Sequence, residues 1–292
     1  MTDKSQPLIT IITVVKDASE GLKKTARSFL SQSDQQFEWL VVDGYSRDGS
    51  INQLETLGTK FEVNIFQIPP NGIYNAMNFA AQKARGEWLW FINAGDVLIS
   101  NNALGQMKSY IIENSNHDLI STPVAYMTRN LYLFDIAINR VEFESGRRIA
   151  LMNHQGVCVK KNKFFEINGF DEKLNYAADG KFLDLAISDK MPFIGNKVLV
   201  GFEMGGRSSK NFRTTLKEIS TYRKISSSEK KYAWKLLILN WARKLFLQID
   251  KNKRTQEIAI FNRYTTFRER ALLKRLKNDL GIEMPEKWSR GN

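Results

Sequence analysis

The chain has 292 residues, 42% of them hydrophobic and 18 of them Phe, enough for one large α/β domain with an addition or for two domains. A single cysteine, Cys158, excludes an intramolecular disulfide and favours a reducing compartment. The net charge is +12, and residues 210–292 hold 21 Lys and Arg against 8 Asp and Glu, so the whole excess lies in the last third and suits an anionic partner surface, phospholipid or nucleic acid.

The opening MTDKSQPLITIITVV lacks the charged-then-apolar pattern of a signal segment, and its apolar stretch runs straight into Lys16-Asp17. No window approaches the ~18 uninterrupted apolar residues of a bilayer span. Leu8–Val15 predicts a strand, and Ser19–Ser31 a helix with Leu22, Ala26, Phe29 and Leu30 on one face. Phe37–Val42 predicts a strand that ends in Asp43-Gly44. Asp48–Leu57, Asn71–Ala84 and Asn102–Glu113 read as helices, and Phe61–Ile68, Glu87–Ile92 and Asp118–Val124 as strands. This alternation predicts a mostly parallel sheet with helices on both faces.

Residues 125–209 are less regular. Strand-like pieces at Ala125–Asp135, Gln155–Val159 and Met191–Val200 surround one helical segment, Ala178–Asp189, and read as a second half that completes a site. From about Ser208 the chain turns into helices rich in Lys, Arg and aromatics, roughly Thr214–Ile225, Glu229–Ile249 and Thr255–Asn278. The expected organisation is therefore a body over 1–209, divided into halves 1–124 and 125–209, with a basic amphipathic helical extension over 210–292.

The richest stretch is GEWLWFINAGD, Gly86 to Asp96. A buried apolar strand stops abruptly at Asn93-Ala94-Gly95-Asp96. Ligands of open α/β sheets bind outside the carboxyl ends of strands. Oxygen ligands beside a tight bend suit a divalent metal that carries a phosphate. The plainer reading is an ordinary turn. Asp43, also at a strand end, could accept hydrogen bonds from a base or ribose, or serve as a turn residue. Asp48 reads as a helix cap. Asn75 and Asn78 lie one turn apart at the start of a helix whose free N–H groups attract anions, or they simply cap it. Cys158 is expected in the core, and His117 on the surface.

ITIITVV, VVDGYSRDGS and NGIYNAMNFAAQKARGEWLWFINAGD are followed in order by NHQGVCVKK, NGFDEKLNYAADGKFLDLAI and GFEMGGRSS. Together, over about residues 7–209, they resemble the nucleotide-sugar domain of the family 2 glycosyltransferases, inverting enzymes of the GT-A fold. The nearest subset builds bacterial capsule, O-antigen and exopolysaccharide chains. The resemblance implies transfer of a sugar from a nucleotide-sugar donor, a UDP-sugar by family habit, to a glycan or lipid-linked acceptor. It implies that Asp43 bonds the nucleobase with Thr13 beside it, and that Asn93 and Asp96 stand at the two ends of the metal motif. Asp96 would bind Mn²⁺ or Mg²⁺, and Asp179 would be the general base. His154 and Gln155 would lie near the acceptor or diphosphate. Taken alone, His154 reads as a metal ligand, a phosphate donor or a structural histidine, and Asp179 as a base or a helix cap. Arg207, in Gly205-Gly206-Arg207-Ser208, could reach phosphate from a flap or belong to a linker.

The sequence departs from the family pattern in several places. The metal motif holds one carboxylate, Pro70 replaces a common acidic residue, and Lys16 stands where an aromatic or polar residue is usual. Lys181 follows Asp179 closely and could bind acceptor or phosphate, or be solvated. The thinned motif motivates an alternative, a non-catalytic nucleotide-sugar or polysaccharide-binding relative. The acidic balance of the body and the lack of a nucleic-acid motif argue against nucleic acid. In the extension, Trp234, Ile238, Trp241, Ala242, Leu245 and Ile249 form a helical stripe accompanied by Lys230, Lys231, Lys235, Arg243 and Lys244. That pattern suits a helix in a membrane interface, or one packed on the body or on another subunit of a homo-oligomer. The expected location is cytoplasmic, peripheral at the inner face of the plasma membrane.

Overall fold

A computed structural model describes residues 6–56, 63–127, 133–137, 139–144, 146–203 and 211–223. Its first elements follow the expected alternation: β1 (Ile9–Val15), α1 (Ser19–Leu30), β2 (Glu38–Asp43), α2 (Ser50–Thr56), β3 (Val63–Gln67), α3 (Ile73–Lys83) and β4 (Trp88–Phe91). After β5 (Val97–Leu98) come α4 (Ala103–Glu113), β6 (Leu119–Ser121), β7 (Val124–Met127), β8 (Leu133–Ala137) and a hairpin, β9 (Arg140–Glu144) and β10 (Arg147–Leu151). A 3₁₀ turn (His154–Gly156) leads into β11 (Val157–Lys160), α5 (Lys161–Glu166), α6 (Ala178–Ala186), β12 (Phe193–Ile194), β13 (Val200–Glu203) and α7 (Phe212–Arg223).

Seven strands form the main sheet in the order β12-β6-β11-β4-β1-β2-β3. β1, β2, β3 and β4 run parallel, as do β12 and β6, while β11 is antiparallel to both its neighbours. A sheet covered on both faces needs strands that are apolar throughout. Every residue of β1, β2 and β4 is accordingly buried. Alternate side chains serve opposite faces. Ile9, Ile11, Trp39, Trp88 and Trp90 pack with Leu22 and Phe29 of α1 and with Leu104 and Met107 of α4. Ile12, Leu40, Leu89 and Phe91 pack with Met77 of α3, Phe164 of α5 and Phe182 of α6.

Two expected strands break where the backbone chemistry requires it. Asp118–Val124 divides into β6 in the main sheet and β7 in a second, four-stranded sheet ordered β5-β13-β7-β8. Pro123 sits at the break, and it can neither donate to a ladder nor leave Thr122 free to choose its conformation. Met191–Val200 divides around Gly195-Asn196-Lys197, where the Gly195 amide donates to the Ser121 carbonyl at 2.8 Å. The β9–β10 hairpin and α5 were not expected. Residue 210, the expected start of a separate extension, falls just before α7, which packs against α6. The expected helices over 229–249 and 255–278 lie outside the described residues, as does Arg207. Among the described residues no helix is long and apolar enough to cross a membrane.

Candidate functional site

The carboxyl ends of β1, β2 and β4 share one edge of the main sheet. Because β11 is antiparallel, its beginning meets that same edge. The register pairs Cys158 with Trp90, and the Trp90 indole N–H donates to the Gln155 carbonyl at 2.8 Å. Topology thus brings the His154–Gly156 turn beside the Asn93–Asp96 turn.

The Asn93–Asp96 turn is built tightly. Gly95 has φ +108, a conformation that side chains disfavour. Thr25 of α1 pins the turn from behind, its hydroxyl donating to the Asp96 carbonyl (2.7 Å) and accepting from the Gly95 amide (3.0 Å). The Asp96 amide donates to the Asn93 carbonyl at 3.0 Å. Asp96 Oδ1 accepts from the Glu203 amide at 3.1 Å, and Glu203 is itself paired with Lys24 at 2.7 Å. Asp96 Oδ2, Asn93 Oδ1 and His154 Nε2 are buried and have no hydrogen-bond partner. Burial pushes the Asp96 carboxyl up to about 7, against the pull of the Glu203 backbone amide, the nearby His154 and the Gln155 side chain.

Buried polar atoms without partners are rare in folded proteins and ask for an explanation. The two orphaned oxygens are the hard donors that Mn²⁺ or Mg²⁺ prefers, so the residues present fit such an ion. They fit it only in part, because among the described residues no three His, Cys, Asp or Glu gather closely enough to hold a metal alone. The remaining ligands would have to come from elsewhere.

Asp179 lies in the first turn of α6 with its side chain 28% exposed. Oδ2 accepts from His154 Nδ1 at 2.8 Å, and Oδ1 accepts from the Tyr74 hydroxyl (3.1 Å) and the Gly180 amide (2.9 Å). An ionised carboxylate only accepts, so this bond needs an N–H at Nδ1, and Nε2 is the orphan. Burial pushes the Asp179 carboxyl up, but the His154 hydrogen bond and charge, the Gly180 amide and the Tyr74 hydroxyl together hold it below the ordinary carboxylate range. The same arrangement, burial first, pushes the Tyr74 phenol well up. Tyr74 belongs to a ring cluster in which the Phe170 ring lies 5.0 Å from Phe182 and 5.5 Å from Tyr74, both tilted, and 5.1 Å edge-on from Phe91.

Several expected residues have other duties. Thr13 is fully buried; its hydroxyl donates to the Ile92 carbonyl (2.7 Å) and accepts from the Trp39 indole (2.9 Å), tying three strands together. Asn78 clasps the turn before α6, donating to the Phe170 carbonyl and to Glu172 and accepting from the Phe170 amide, each at 2.9 Å. Asn75 donates to the other oxygen of Glu172 at 2.9 Å. These two asparagines share a helix face as expected, but that face holds the protein to itself. The Asp43 carboxylate is buried and taken up by the Ser46 amide and hydroxyl and by Gln67 Nε2 (3.0 Å). Ser46 and Gln67 in turn line an open cleft of about 440 Å³ together with Gly49, Ser50, Ile51, Asn52 and Ile65. Asp43 therefore orders the wall of a cavity at the strand ends. Lys181 is paired with Asp171 at 2.6 Å.

Asp48 does cap, accepting from the Ser19 amide at 2.8 Å and the Ser50 amide at 3.1 Å. Cys158 is buried, and burial pushes its thiol well up, so it stays protonated in the core. His117 bonds the Met191 carbonyl, at 3.0 Å. The residues that sequence reasoning missed are Thr25, Tyr74 and Glu203. Tyr74 was readable only as core, and nothing in the order of residues links Glu203 to Asp96.

Comparison with known proteins bears on the family and the fold. The family model described as "Glycosyl transferase family 2" matches residues 10–170. A PGL/p-HBAD biosynthesis glycosyltransferase of Mycobacterium bovis is 26% identical over 181 residues, 60% of this chain and 68% of that protein. A glycosyltransferase of Haemophilus influenzae is 32% identical over 112 residues, 38% of this chain and 44% of that one. Among solved structures, S. aureus TarS 1–349 in complex with UDP aligns with a TM-score of 0.56 and 14% identity, over 93% of this chain and 79% of that one. The mannosyltransferase PcManGT from Pyrobaculum calidifontis, in complex with GDP-Man and Mn²⁺, aligns at 0.54 and 14%, over 72% of this chain and 61% of that one. Both likenesses concern the GT-A fold.

Proposed function

The chain belongs to glycosyl transferase family 2, and from that membership and the site's geometry we propose that it transfers a sugar from a UDP-sugar to a hydroxyl of a glycan or lipid-linked acceptor, with inversion, in the making of a bacterial surface polysaccharide. One observation carries the reading. Three buried polar atoms, on Asn93, Asp96 and His154, have no partners, and His154 bears on Asp96 while bonding the partly exposed carboxylate of Asp179 directly.

Asp96 Oδ2 and Asn93 Oδ1 would hold Mn²⁺ or Mg²⁺, which offsets the charge that gathers on a departing diphosphate. The chain's own groups do the rest. Asp179, kept ionised by His154, Gly180 and Tyr74, takes the proton of the acceptor hydroxyl. His154 and Tyr74 also fix the direction in which that carboxylate points. His154 Nε2 is left for a substrate oxygen. The cleft beside Ser46 and Gln67 offers polar groups to the nucleoside. We assign Arg207 to the donor phosphates by sequence alone, and we assign the part of the 210–292 extension that follows α7 to anionic phospholipid, on the strength of its Trp-, Lys- and Arg-rich stripe.

The test is release of UDP from a panel of UDP-sugars with and without Mn²⁺. Asp179→Asn should lower kcat about 10²–10⁴-fold while UDP affinity holds. Asp96→Ala should weaken UDP and Mn²⁺ binding together. A full rate in Asp179→Asn refutes the base assignment. Binding of UDP and Mn²⁺ without turnover of any donor favours the non-catalytic alternative, which the single carboxylate of the metal turn keeps in play. Co-sedimentation of the full chain and of a 1–223 truncation with anionic vesicles checks the extension; equal binding refutes the membrane role.

A further inference from the structure

Helix α6 has no cap of its own. Its N-cap residue is Ala177, which offers no side-chain acceptor, so the amides that enter the helix need partners from outside. In sequence the obvious candidate is Asp179, yet its carboxylate is turned to His154 and Tyr74 and meets only the Gly180 amide.

The acceptor comes from α7. The Glu218 carboxylate accepts from three successive amides, Asn175 (2.9 Å), Tyr176 (2.9 Å) and Ala177 (3.0 Å), immediately before α6. An anion at that end also suits the helix dipole. Two further contacts lock α7 onto α6. Arg223 grips both oxygens of Asp184 at 2.7 and 3.0 Å and reaches the Ala150 carbonyl at 3.3 Å. Tyr222 lies over Gly180, where an added methyl group would sit 2.8 Å from its hydroxyl.

We infer that Glu218 is a positioning residue for Asp179: it holds the three amides of the segment that enters α6, and so fixes the first turn from which Asp179 faces the reacting hydroxyl. The inference rests on the reading of Asp179 as the base. It also makes α7 part of the catalytic body rather than of the basic extension. Without the Glu218 carboxylate the three amides lose their acceptor and the first turn of α6 shifts. A displacement of about 1 Å at a reacting group lowers rates up to ~10²-fold.

His154 and His117 are the only histidines, so ¹⁵N-histidine labelling of the full chain gives two ring systems. The His154 Nδ1 signal reads its bond to Asp179, with His117 as an internal control. In Glu218→Gln that signal should move toward its position in Asp179→Asn, while His117 stays. Lys217→Ala, on the exposed side of the same helix, should leave both signals in place. A His154 signal at the wild-type position in folded Glu218→Gln overturns the inference. Should Glu218→Gln fail to fold, Glu218→Asp, one methylene short, is read by the same criterion.

In the UDP-release assay, Glu218→Gln should lower kcat about 10–100-fold with UDP affinity in Mn²⁺ unchanged. Added to Asp179→Asn it should lower kcat no further. An equal loss in both backgrounds overturns the positioning role. If the wild-type chain releases UDP from no donor, the transfer reading fails, and the His154 signal still decides the role of Glu218.

Discussion

Thr13→Val separates a structural threonine from a ligand contact. The substitution keeps shape and removes one hydroxyl. It takes from the Ile92 carbonyl a donor at 2.7 Å and from the Trp39 indole an acceptor at 2.9 Å, both in a fully buried region. A buried polar group left unsatisfied costs about 1–3 kcal/mol. Relief from burying the hydroxyl itself offsets part of this, so a net loss of about 2–4 kcal/mol is expected. For a chain of this size that corresponds to about 5–15 °C in Tm. Urea unfolding should show a lower midpoint with an unchanged slope, since the surface exposed on unfolding is the same. Calorimetric titration with UDP and Mn²⁺ should give the wild-type affinity below the unfolding range. A variant of undiminished stability whose UDP affinity falls tenfold would show that Thr13 touches the nucleotide and that the buried tie is unimportant.

Two further substitutions address the metal turn and the surface. Gly95→Ala forces a side chain into φ +108, with its methyl 3.4 Å from Glu203 Oε2. Strain of about 1–3 kcal/mol should lower Tm and weaken Mn²⁺-dependent UDP binding about tenfold or more; unchanged binding in titration would mean that the turn does not set the oxygens. Lys181→Met tests a pH dependence. The Lys181 hydrogen bond, opposed by burial and helped by the Lys173 amide, holds the Asp171 carboxyl below its usual range. Stability from that pair is therefore present above about pH 4 and lost as pH falls through the lowered folded value. The variant should lose up to about 1 kcal/mol at neutral pH, given the solvent screening of a partly exposed pair, and almost nothing near pH 2. Equal losses at both pH values in urea unfolding would assign the effect to packing.

The parallel half of the fold was legible because burial on both faces writes itself as apolar runs such as Trp88–Ile92. The hairpin over 140–151 carries no such signature, with Arg140, Glu142, Arg147 and Arg148 in its strands and Phe143 71% exposed. Strands of two residues, Val97–Leu98 and Phe193–Ile194, are too short to show a period. The turn at Asn93–Asp96 was readable because an apolar strand ends there in small and oxygen-bearing residues. Asn75 and Asn78 show what spacing leaves out: one turn apart, they share a face, and the order of residues gives no sign that Glu172 and Phe170 meet them there. Thr13 shows a related ambiguity, since a hydroxyl in a buried strand looks the same in sequence whether it meets a ligand or an indole. Glu218 was invisible because its partners lie more than forty residues away along the chain.

The direction of one strand explains how Asp96 and Asp179, far apart in the chain, come to share one neighbourhood. Asp96 follows β4 and Asp179 opens α6, and nothing local connects them. Were β11 parallel to β4, the residues before it would emerge at the opposite edge of the sheet and His154 with them. Being antiparallel, with Cys158 opposite Trp90, it delivers His154 to the edge where β4 ends. There the imidazole bonds Asp179 through Nδ1 and bears on Asp96 electrostatically. One ring thus joins the carboxylate suited to a phosphate-bearing cation and the carboxylate suited to a proton. In the proposed reaction, displacement at an anomeric carbon requires the leaving diphosphate and the incoming hydroxyl to be held together in one frame, and the shared histidine would supply the link between the two sides.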